Sequence, residues 1–274
     1  MERIVHNNTH KSLTDEEIIS MYLNQISPKV IAEKANLSDR SIRRIMKRHG
    51  YETKNAGKPR KYGVNENFFK VWSPEMAYVL GMIVTDGCVY STIKYRKTFD
   101  IVQADIKMLE KLKKVMCSEQ PIYRYDTTCS AFRLVIGSSI MVDDLLELGV
   151  QDRKSHTIKA PAVPTEYLNH FIRGVFDGDG WIHKRAYTMN ITSASEEFAH
   201  FIYNTFVSLN LNTRIYTDTS GRKTTVYRVF VSGKNDIITL ALWLYKESGD
   251  LYLERKKKLF YQNFTNVERC IQTS

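Results

Sequence analysis

Cysteine is scarce in this chain of 274 residues, and its four cysteines stand far apart with no CxxC pair. That spacing supports neither a structural zinc site nor a disulfide framework, and it favours a reducing cytosol. The expected location is the cytoplasm of a bacterial or phage-type host cell. Long apolar runs are also missing, so we expect no membrane span and no membrane partner. The first residues, MERIVHNNTHK, lack the apolar core of a secretory signal.

Negative charge is in short supply as well. The chain has 40 Lys and Arg against 30 Asp and Glu, a formal net charge of +10. Residues 1–65 alone contain 13 basic and 7 acidic side chains, so under a quarter of the chain holds over half of the excess. This imbalance predicts a polyanionic partner.

The first 55 residues are predicted to form three short amphipathic helices. Thr14 and Ser38 are expected to cap the first and third helices, and the second follows Ser27-Pro28. Apolar residues recur at helical spacing in the first helix, at Ile18, Ile19, Tyr22 and Leu23. The inward positions of the other two helices are Val30, Ile31, Ala35, Ile42, Ile45 and Met46. The outer face of the third helix is basic, with Arg40, Arg43, Arg44 and Lys47.

This pattern resembles a helix-turn-helix DNA-binding domain over residues 1–55. A small helical bundle whose basic face is merely solvated is the alternative. Residues 56–66, which include GKPRKYG, are predicted to be a basic linker.

From residue 67 the pattern of predicted elements occurs twice. Units at 67–159 and 160–274 each have the order α-β-β-α-β-β-α, with hydrophobic runs and turns at matching places. The first helix of each unit ends in an Asp-Gly pair, in YVLGMIVTDGCV and in FIRGVFDGDGWI. The two aspartates, Asp86 and Asp179, mark equivalent positions of the repeat.

Small residues follow one face of both opening helices, at Ala77, Gly81 and Thr85 in one and at Gly174 and Gly178 in the other. Such a stripe lets two helix backbones approach closely, which would bring Asp86 and Asp179 together. Two adjacent carboxylates are costly unless they are protonated or bridged by a cation, and oxygen ligands favour Mg²⁺. The alternative is that each Asp-Gly pair only terminates its helix, although an acid there opposes the helix dipole.

The motifs VLGMIVTDG and IRGVFDGDG resemble the signature of the LAGLIDADG homing endonucleases. The resemblance covers residues 67–263 and implies an α+β fold of tandem pseudo-twofold αββαββα repeats. In that family the antiparallel sheets form a β saddle in the DNA major groove, and Asp86 and Asp179 would be the catalytic metal ligands. Here a small all-α helix-turn-helix domain precedes the family fold.

Other catalytic positions are implied by the same resemblance. Gln103 and Ser193 occupy the place of the polar residue that orients the nucleophilic water. Lys154 and Lys256 occupy the place of the basic residue near the scissile phosphate, although lysines in basic runs are commonly only solvated. The implied reaction is Mg²⁺-dependent hydrolysis of both strands of double-stranded DNA, leaving 3′ overhangs.

DNA recognition is assigned to the basic outer face of the third helix and to outward-facing strand residues. The strand candidates are Tyr90, Thr92, Lys94, Arg96, Arg124, Lys184, Arg222, Lys223 and Arg228. Because the two units differ at most outward positions, we expect a monomer that needs no protein partner and reads a long asymmetric site.

Three other functions share this scaffold. An intron RNA-splicing maturase keeps the acids in some cases, whereas a non-catalytic DNA-binding transcription regulator tends to lose them. An intein needs a nucleophile at its first residue and a His-Asn end, whereas this sequence begins with Met1 and ends Gln272-Thr273-Ser274. We therefore expect a separately translated homing endonuclease, intron-encoded or free-standing, located with the nucleoid.

Overall fold

The computed structural model describes residues 11–24, 26, 28–51, 61–91, 97–126, 128, 130–152, 154–185, 187–219 and 224–261. The chain divides into two compact units, the first ending at Lys61 and the second beginning at Tyr62. No helix within these ranges is long and apolar enough to cross a membrane.

The first unit contains the three predicted helices, α1 (Asp15–Leu23), α2 (Pro28–Ala35) and α3 (Asp39–Arg48). Thr14 and Ser38 cap α1 and α3 as predicted, and each side-chain oxygen accepts a hydrogen bond from a backbone N–H in the first turn. Its core consists of Ile18, Ile31, Ala32, Ala35, Ile42 and Ile45.

One inward assignment in this unit is wrong. Val30 is exposed because the buried stripe of α2 passes through Ile31, Ala32 and Ala35, and Val30 lies on another side of the helix. Leu23 is 58% exposed, at the last residue of α1.

The second unit contains the predicted repeat. Its first half consists of α4 (Pro74–Asp86), β1 (Gly87–Tyr90), β2 (Thr98–Gln103), α5 (Ile106–Val115), β3 (Ile122–Arg124), β4 (Phe132–Gly137) and α6 (Ser139–Glu147). Its second half consists of α7 (Leu168–Asp179), β5 (Gly180–Ile182), β6 (Thr188–Ser193), α8 (Glu196–Ser208), β7 (Thr213–Asp218), β8 (Val226–Ser232), α9 (Lys234–Tyr245) and α10 (Glu254–Tyr261).

Each half forms one four-stranded antiparallel sheet, with strand orders β1-β2-β4-β3 and β5-β6-β8-β7. The registers match as well: Gln103 pairs with Phe132 in the first sheet, and Ser193 pairs with Tyr227 in the second. The fold is therefore α+β and twofold, as the resemblance implied.

The core lies between the sheets and the helices. Alternate strand residues point into it, for example Phe99 and Ile101 of β2 and their counterparts Met189 and Ile191 of β6. The opposite face of each sheet holds the partly exposed side chains.

Candidate active site

Helices α4 and α7 pack against each other along a glycine-lined seam. A Cβ atom on Gly81 would lie 2.3 Å from the carbonyl oxygen of Phe171, and one on Gly174 would lie 2.3 Å from that of Tyr78. A Cβ on Gly178 would lie 2.0 Å from Thr85 Oγ1. No side chain fits at these three positions, so glycine is what allows the two backbones to touch.

The seam brings the C-terminal ends of both helices together, and each ends at an aspartate. A Cβ on Gly178 would lie 3.1 Å from Asp86 Oδ2, so the Asp86 carboxylate lies beside the last turn of α7. Burial first, and then the Asp179 carboxylate, raise the pKa of Asp86 to about 7, against the opposing charges of Lys256 and Lys154. Burial also raises the pKa of Asp179.

Gln103 joins this site from the end of β2. Its Nε2 donates a hydrogen bond to Asp86 Oδ2, and its side chain is buried. Ser193, at the matching position of β6, accepts from the Ser195 backbone N–H at 3.0 Å and donates to the Ser195 carbonyl at 3.1 Å. The hydroxyl of Ser193 is thus engaged in a local turn, and the two halves differ in the polar group next to the acid.

The two predicted lysines are buried rather than solvated. Lys256, 4% exposed, donates to the carbonyl oxygens of Phe176 at 2.6 Å and Asp177 at 2.8 Å, at the end of α7. Lys154, 5% exposed, donates to the Gly87 carbonyl just after α4. Each ammonium therefore neutralises the negative end of one helix, where an aspartate alone would be unfavourable.

The charges of both lysines act on both acids. Lys154 and Lys256 each lower the pKa of Asp86 and Asp179 by charge attraction, against the larger effect of burial. Burial in turn lowers the pKa of Lys154, and it lowers that of Lys256 to about 8. The structure thus gathers five of the six predicted catalytic residues, Asp86, Asp179, Gln103, Lys154 and Lys256.

A buried polar network behind Lys256 was not predicted from the sequence. Asp177 Oδ2 accepts from Tyr78 Oη of α4 at 2.7 Å and from the Leu253 backbone N–H at 2.9 Å. Arg173, 1% exposed, donates to the carbonyl oxygens of Leu251 at 2.8 Å and Leu244 at 2.7 Å. These bonds attach the segment that carries Lys256 to α7.

The same network explains an asymmetry between the motifs. Asp177 and Arg173 correspond by position to Val84 and Leu80 in α4, which are apolar core residues. The sequence did contain one signal of this network: Arg173 and Asp177 are charged residues inside an otherwise apolar motif. The partners named above lie 71 to 99 residues away in sequence, so no local pattern could identify them.

The predicted DNA contacts fall into three groups. Tyr90 and Arg228 lie on the outer sheet faces, because their strand neighbours Val89 and Val229 point into the core. Thr92, Lys94, Arg96, Arg222 and Lys223 lie outside the described residues. Two assignments need correction.

Arg124 pairs with Phe132 and shares a face with Ile122, so it lies on the core side of the edge strand β3 although it is exposed. Tyr123 is the residue of that strand that points outward, opposite Arg133 of β4. Lys184 is exposed, but it lies in the turn after β5 and not in a strand. Arg133 was missed, although alternation with buried Leu134 and Ile136 indicates its outward position.

In the first unit, Arg40, Arg44 and Lys47 of α3 are exposed as predicted. Arg43 is partly buried, and its Nε donates to Asp39 Oδ2 at 2.9 Å. The face is therefore basic, with one of its four cations held in an ion pair one turn away.

The donor set at the helix ends suits a magnesium-like cation more than zinc. Within the described ranges no group of three or more His, Cys, Asp or Glu side chains is arranged to hold a metal. The two carboxylates, buried and with raised pKa values, are the side-chain oxygens that carry negative charge at this site. Mg²⁺ is bound in this manner, by one or two carboxylates with water and substrate phosphate completing the shell.

Comparison with curated proteins gives partial matches. The chain is 26% identical over 192 residues to a protein described as a probable translation initiation factor IF-2 from Methanocaldococcus jannaschii, covering 66% of this chain and 16% of that protein. A namesake from Thermococcus kodakarensis is 26% identical over 188 residues, covering 61% of this chain and again 16% of the other. The matched region spans only that fraction of these relatives.

Solved structures offer likenesses of fold at low sequence identity. The homing endonuclease I-DmoI in complex with DNA and Mn has a TM-score of 0.47 at 16% identity, covering 62% of this chain and 96% of that one. DUF199/WhiA from Thermatoga maritima gives 0.47 at 17%, covering 76% and 69%. The I-LtrWI LAGLIDADG homing endonuclease bound to target DNA gives 0.46 at 13%, covering 77% and 92%.

The family model that matches is the LAGLIDADG-like domain, over residues 166–241. That range begins just before α7 and contains the second motif, both inner strands of the second sheet and most of α9. The first motif and its sheet repeat the same order of elements. Residues 166–241 are accordingly similar to the LAGLIDADG-like domain.

Proposed function

We propose that this protein is a site-specific DNA endonuclease that hydrolyses both strands of a long duplex target with the help of a divalent metal, Mg²⁺ in the cell. The observation that carries the proposal is the pair of buried aspartates, Asp86 and Asp179, held at the joined ends of α4 and α7 with two lysines beside them. Burying two like charges together costs stability, and the arrangement is explained by a cation that binds there.

Asp86 and Asp179 would hold the metal, which would supply charge neutralisation at the scissile phosphate and at the attacking and leaving oxygens. Gln103 orients the Asp86 carboxylate by donating a hydrogen bond from its Nε2. The side-chain carbonyl oxygen of Gln103 is an acceptor, and it would accept a hydrogen bond from the attacking water. In the other half Ser193 is bonded to Ser195, so solvent must take over this role there.

Lys154 and Lys256 act through their charge. Because each ammonium is buried against helix-end carbonyls, its position is fixed before DNA binds and its field reaches both acids. A fixed positive charge in a water-poor site stabilises the negative charge that develops on the phosphate during hydrolysis. This contribution needs no movement of either side chain.

Duplex DNA would lie on the outer faces of the two sheets, which belong to a single chain. The two faces differ at matched positions of the inner strands, with Asp100 and Val102 on β2 against Asn190 and Thr192 on β6, so a monomer would read an asymmetric site. The basic face of α3 would add phosphate contacts at one end of the target. By the family resemblance, the products would carry 3′ overhangs, and the gene would be intron-encoded or free-standing.

A non-catalytic DNA-binding regulator and a splicing maturase remain the competing functions. The regulator has no use for two buried acids at the end of a helix seam, which opposes that assignment. The maturase would use the same basic surfaces on RNA. No described contact favours RNA over DNA, so we propose the endonuclease.

The test begins with a randomised duplex pool, from which the full chain selects the sequences it binds. The enriched site is placed in a plasmid and incubated with the protein and Mg²⁺, and cut positions on both strands are mapped. Wild-type protein should linearise the plasmid, whereas Asp86→Asn and Asp179→Asn should bind it without cutting. Binding without cutting by the wild type would refute the enzyme, and promotion of splicing of a precursor RNA would support the maturase.

A further inference from the structure

Two arginines occupy related positions on the outer faces of the two sheets. Arg133 of the inner strand β4 lies directly opposite Tyr123 of the edge strand β3. Arg228 of the inner strand β8 lies directly opposite Tyr216 of the edge strand β7. The fold repeat therefore places the same Tyr-Arg pair at the same site of each half.

Both pairs face away from the core. The residues that follow the arginines, Leu134 and Val229, are fully buried, and side chains alternate along a strand. The paired tyrosines Tyr123 and Tyr216 are 54% and 52% exposed. These are the faces on which the proposed duplex would lie.

Each arginine is held by a carboxylate, but from a different strand. Arg133 Nε donates to Asp100 Oδ2 of β2, and Arg228 Nη2 donates to Asp218 Oδ2 of β7 at 2.9 Å. Asp100 is 2% exposed, and its Oδ1 has no hydrogen-bond partner among the side chains and backbone that the structure describes. Because hydrophobic replacements of such buried pairs are often neutral or stabilising, stability alone does not explain this one.

The neighbouring carboxylate restricts which DNA group such an arginine can bind. Its negative charge repels a phosphate, but it does not repel the uncharged edge of a base. The guanidinium has five N–H donors. Arg133 uses Nε on Asp100 and Nη2 on the Tyr90 hydroxyl at 3.5 Å, and Arg228 uses Nη2 on Asp218, so these bonds do not take up all five donors of either side chain. A guanidinium fixed in this way loses little rotamer freedom on binding, and its fork fits the O6 and N7 acceptors of guanine in the major groove.

We propose that Arg133 and Arg228 each read one guanine of the target, one in each half-site, and that Asp100 and Asp218 are the positioning residues that orient them. The proposal deepens the proposed function, since it rests on duplex DNA lying along the two sheets. It concerns base preference and is independent of whether the bound DNA is cut.

The experiment repeats the duplex selection with Arg133→Lys and Arg228→Lys. Lysine keeps the positive charge but lacks the planar fork, so phosphate attraction is retained and bidentate guanine recognition is abolished. Each variant should lose one guanine from the selected sequence, at different positions for the two variants. At that base pair the preference should fall roughly 5- to 150-fold, the range for a good bidentate contact.

Arg124→Lys is the matched control, because Arg124 is exposed on the core side of its strand. It should select the wild-type sequence. Asp100→Asn and Asp218→Asn should weaken the same two guanine preferences without lowering affinity for unrelated duplex DNA, which a loss of folding would lower. Melting curves identify any Asp→Asn variant that is unfolded. In that case the Arg→Lys variants, which change partly exposed side chains, test the proposal by themselves.

The proposal fails if both Arg→Lys variants select the wild-type sequence, or if all positions lose preference equally, as a phosphate contact or a purely structural role would cause. It also fails if the wild type enriches no sequence. A wild type that enriches a site containing both guanines but never cuts it would refute the endonuclease and still support the two arginines as base readers.

Discussion

At the residue scale, Asp177 is the buried acid whose removal should be most informative. Asp177→Ala leaves the Leu253 N–H without its acceptor in a buried site, and leaves the Tyr78 hydroxyl with only the weak acceptor Met108 Sδ at 3.5 Å. An orphaned buried group costs about 1–3 kcal/mol, so the free energy of unfolding in urea should fall clearly. Because Leu253 precedes α10, which carries Lys256, DNA cleavage should fall with it.

Asp177→Asn is the matched control for that substitution. Its amide oxygen can still accept from both donors, and burial already raises the pKa of Asp177, so the neutral side chain suits the site. Most of the stability should be retained. If Asp177→Ala had the same midpoint of urea unfolding as the wild type, the network would contribute nothing to the free energy of unfolding.

His170 should give the protein an acid-sensitive stability. Its Nδ1 accepts from Arg173 Nη2 at 3.0 Å, and burial, followed by the Arg173 charge, lowers the pKa of His170 to about 4. Above about pH 6.5 the histidine is neutral in both the folded and the unfolded chain. Between about pH 6.5 and 4 only the unfolded chain gains the proton, so stability falls as the pH falls, by on the order of 3 kcal/mol in total.

The measurement compares urea unfolding of wild type and His170→Gln at several pH values. The glutamine carbonyl can accept from Arg173 but does not titrate in this range. The difference between the two stabilities should change between pH 6.5 and 4 and be constant above it. A difference that stays constant across the whole range would mean that His170 is protonated equally in both states.

Sequence placed residues near one another where the pattern is local. Asp86 and Asp179 follow from the repeated motif, Gln103 was implied by the family resemblance, and the structure brings the three together. Arg124 was misplaced because IYRY allows two strand phases, and the phase is set by pairing with β4. Asp177 was missed because Leu253 lies 76 residues away.

At the scale of elements, the seam between α4 and α7 depends on the absence of side chains. Gly81→Ala places a Cβ 2.3 Å from the Phe171 carbonyl oxygen, so the helices must separate. We expect a loss of about 3 kcal/mol or more in unfolding free energy, the upper range for overpacked cores. Cleavage should be abolished as well, since the two aspartates move apart.

Gly137→Ala is the control for this substitution. Its Cβ would meet Thr98 Cγ2 at 3.8 Å, an ordinary contact, and Gly137 lies in strand β4. Alanine there should leave stability unchanged or raise it slightly. Equal stability of the two variants would contradict the close helix contact. The seam was predictable because small residues four apart necessarily share a helix face.

At the scale of the whole molecule, the first unit should add affinity without being needed for cleavage. The unit ends at Lys61 and has its own core, separate from that of the second unit. A chain reduced to residues 62–274 should therefore fold and cut the same phosphodiester bonds. Its binding should be weaker and less salt-dependent, by about one unit of log–log slope for each DNA phosphate that the first unit neutralises.

Footprinting of the full and shortened chains on the selected duplex would check this division. The shortened chain should protect the same central region and lose protection at one end only. An unchanged footprint and salt slope would mean that the basic face of α3 does not contact DNA. The first unit would then be a small helical bundle with a solvated basic face, the alternative given by its sequence.

The central claim is that the joined helix ends bind a divalent cation through Asp86 and Asp179. Electron paramagnetic resonance of Mn²⁺ titrated into the full chain measures this without DNA or turnover. Wild-type protein should bind Mn²⁺, and Asp86→Asn or Asp179→Asn should weaken binding by roughly tenfold or more, since even outer-shell changes cost 10–100-fold. Asp143→Asn, which removes an exposed carboxylate of α6 bonded to Lys97, should bind like wild type. Mn²⁺ binding that is equally tight in all four proteins would contradict the account.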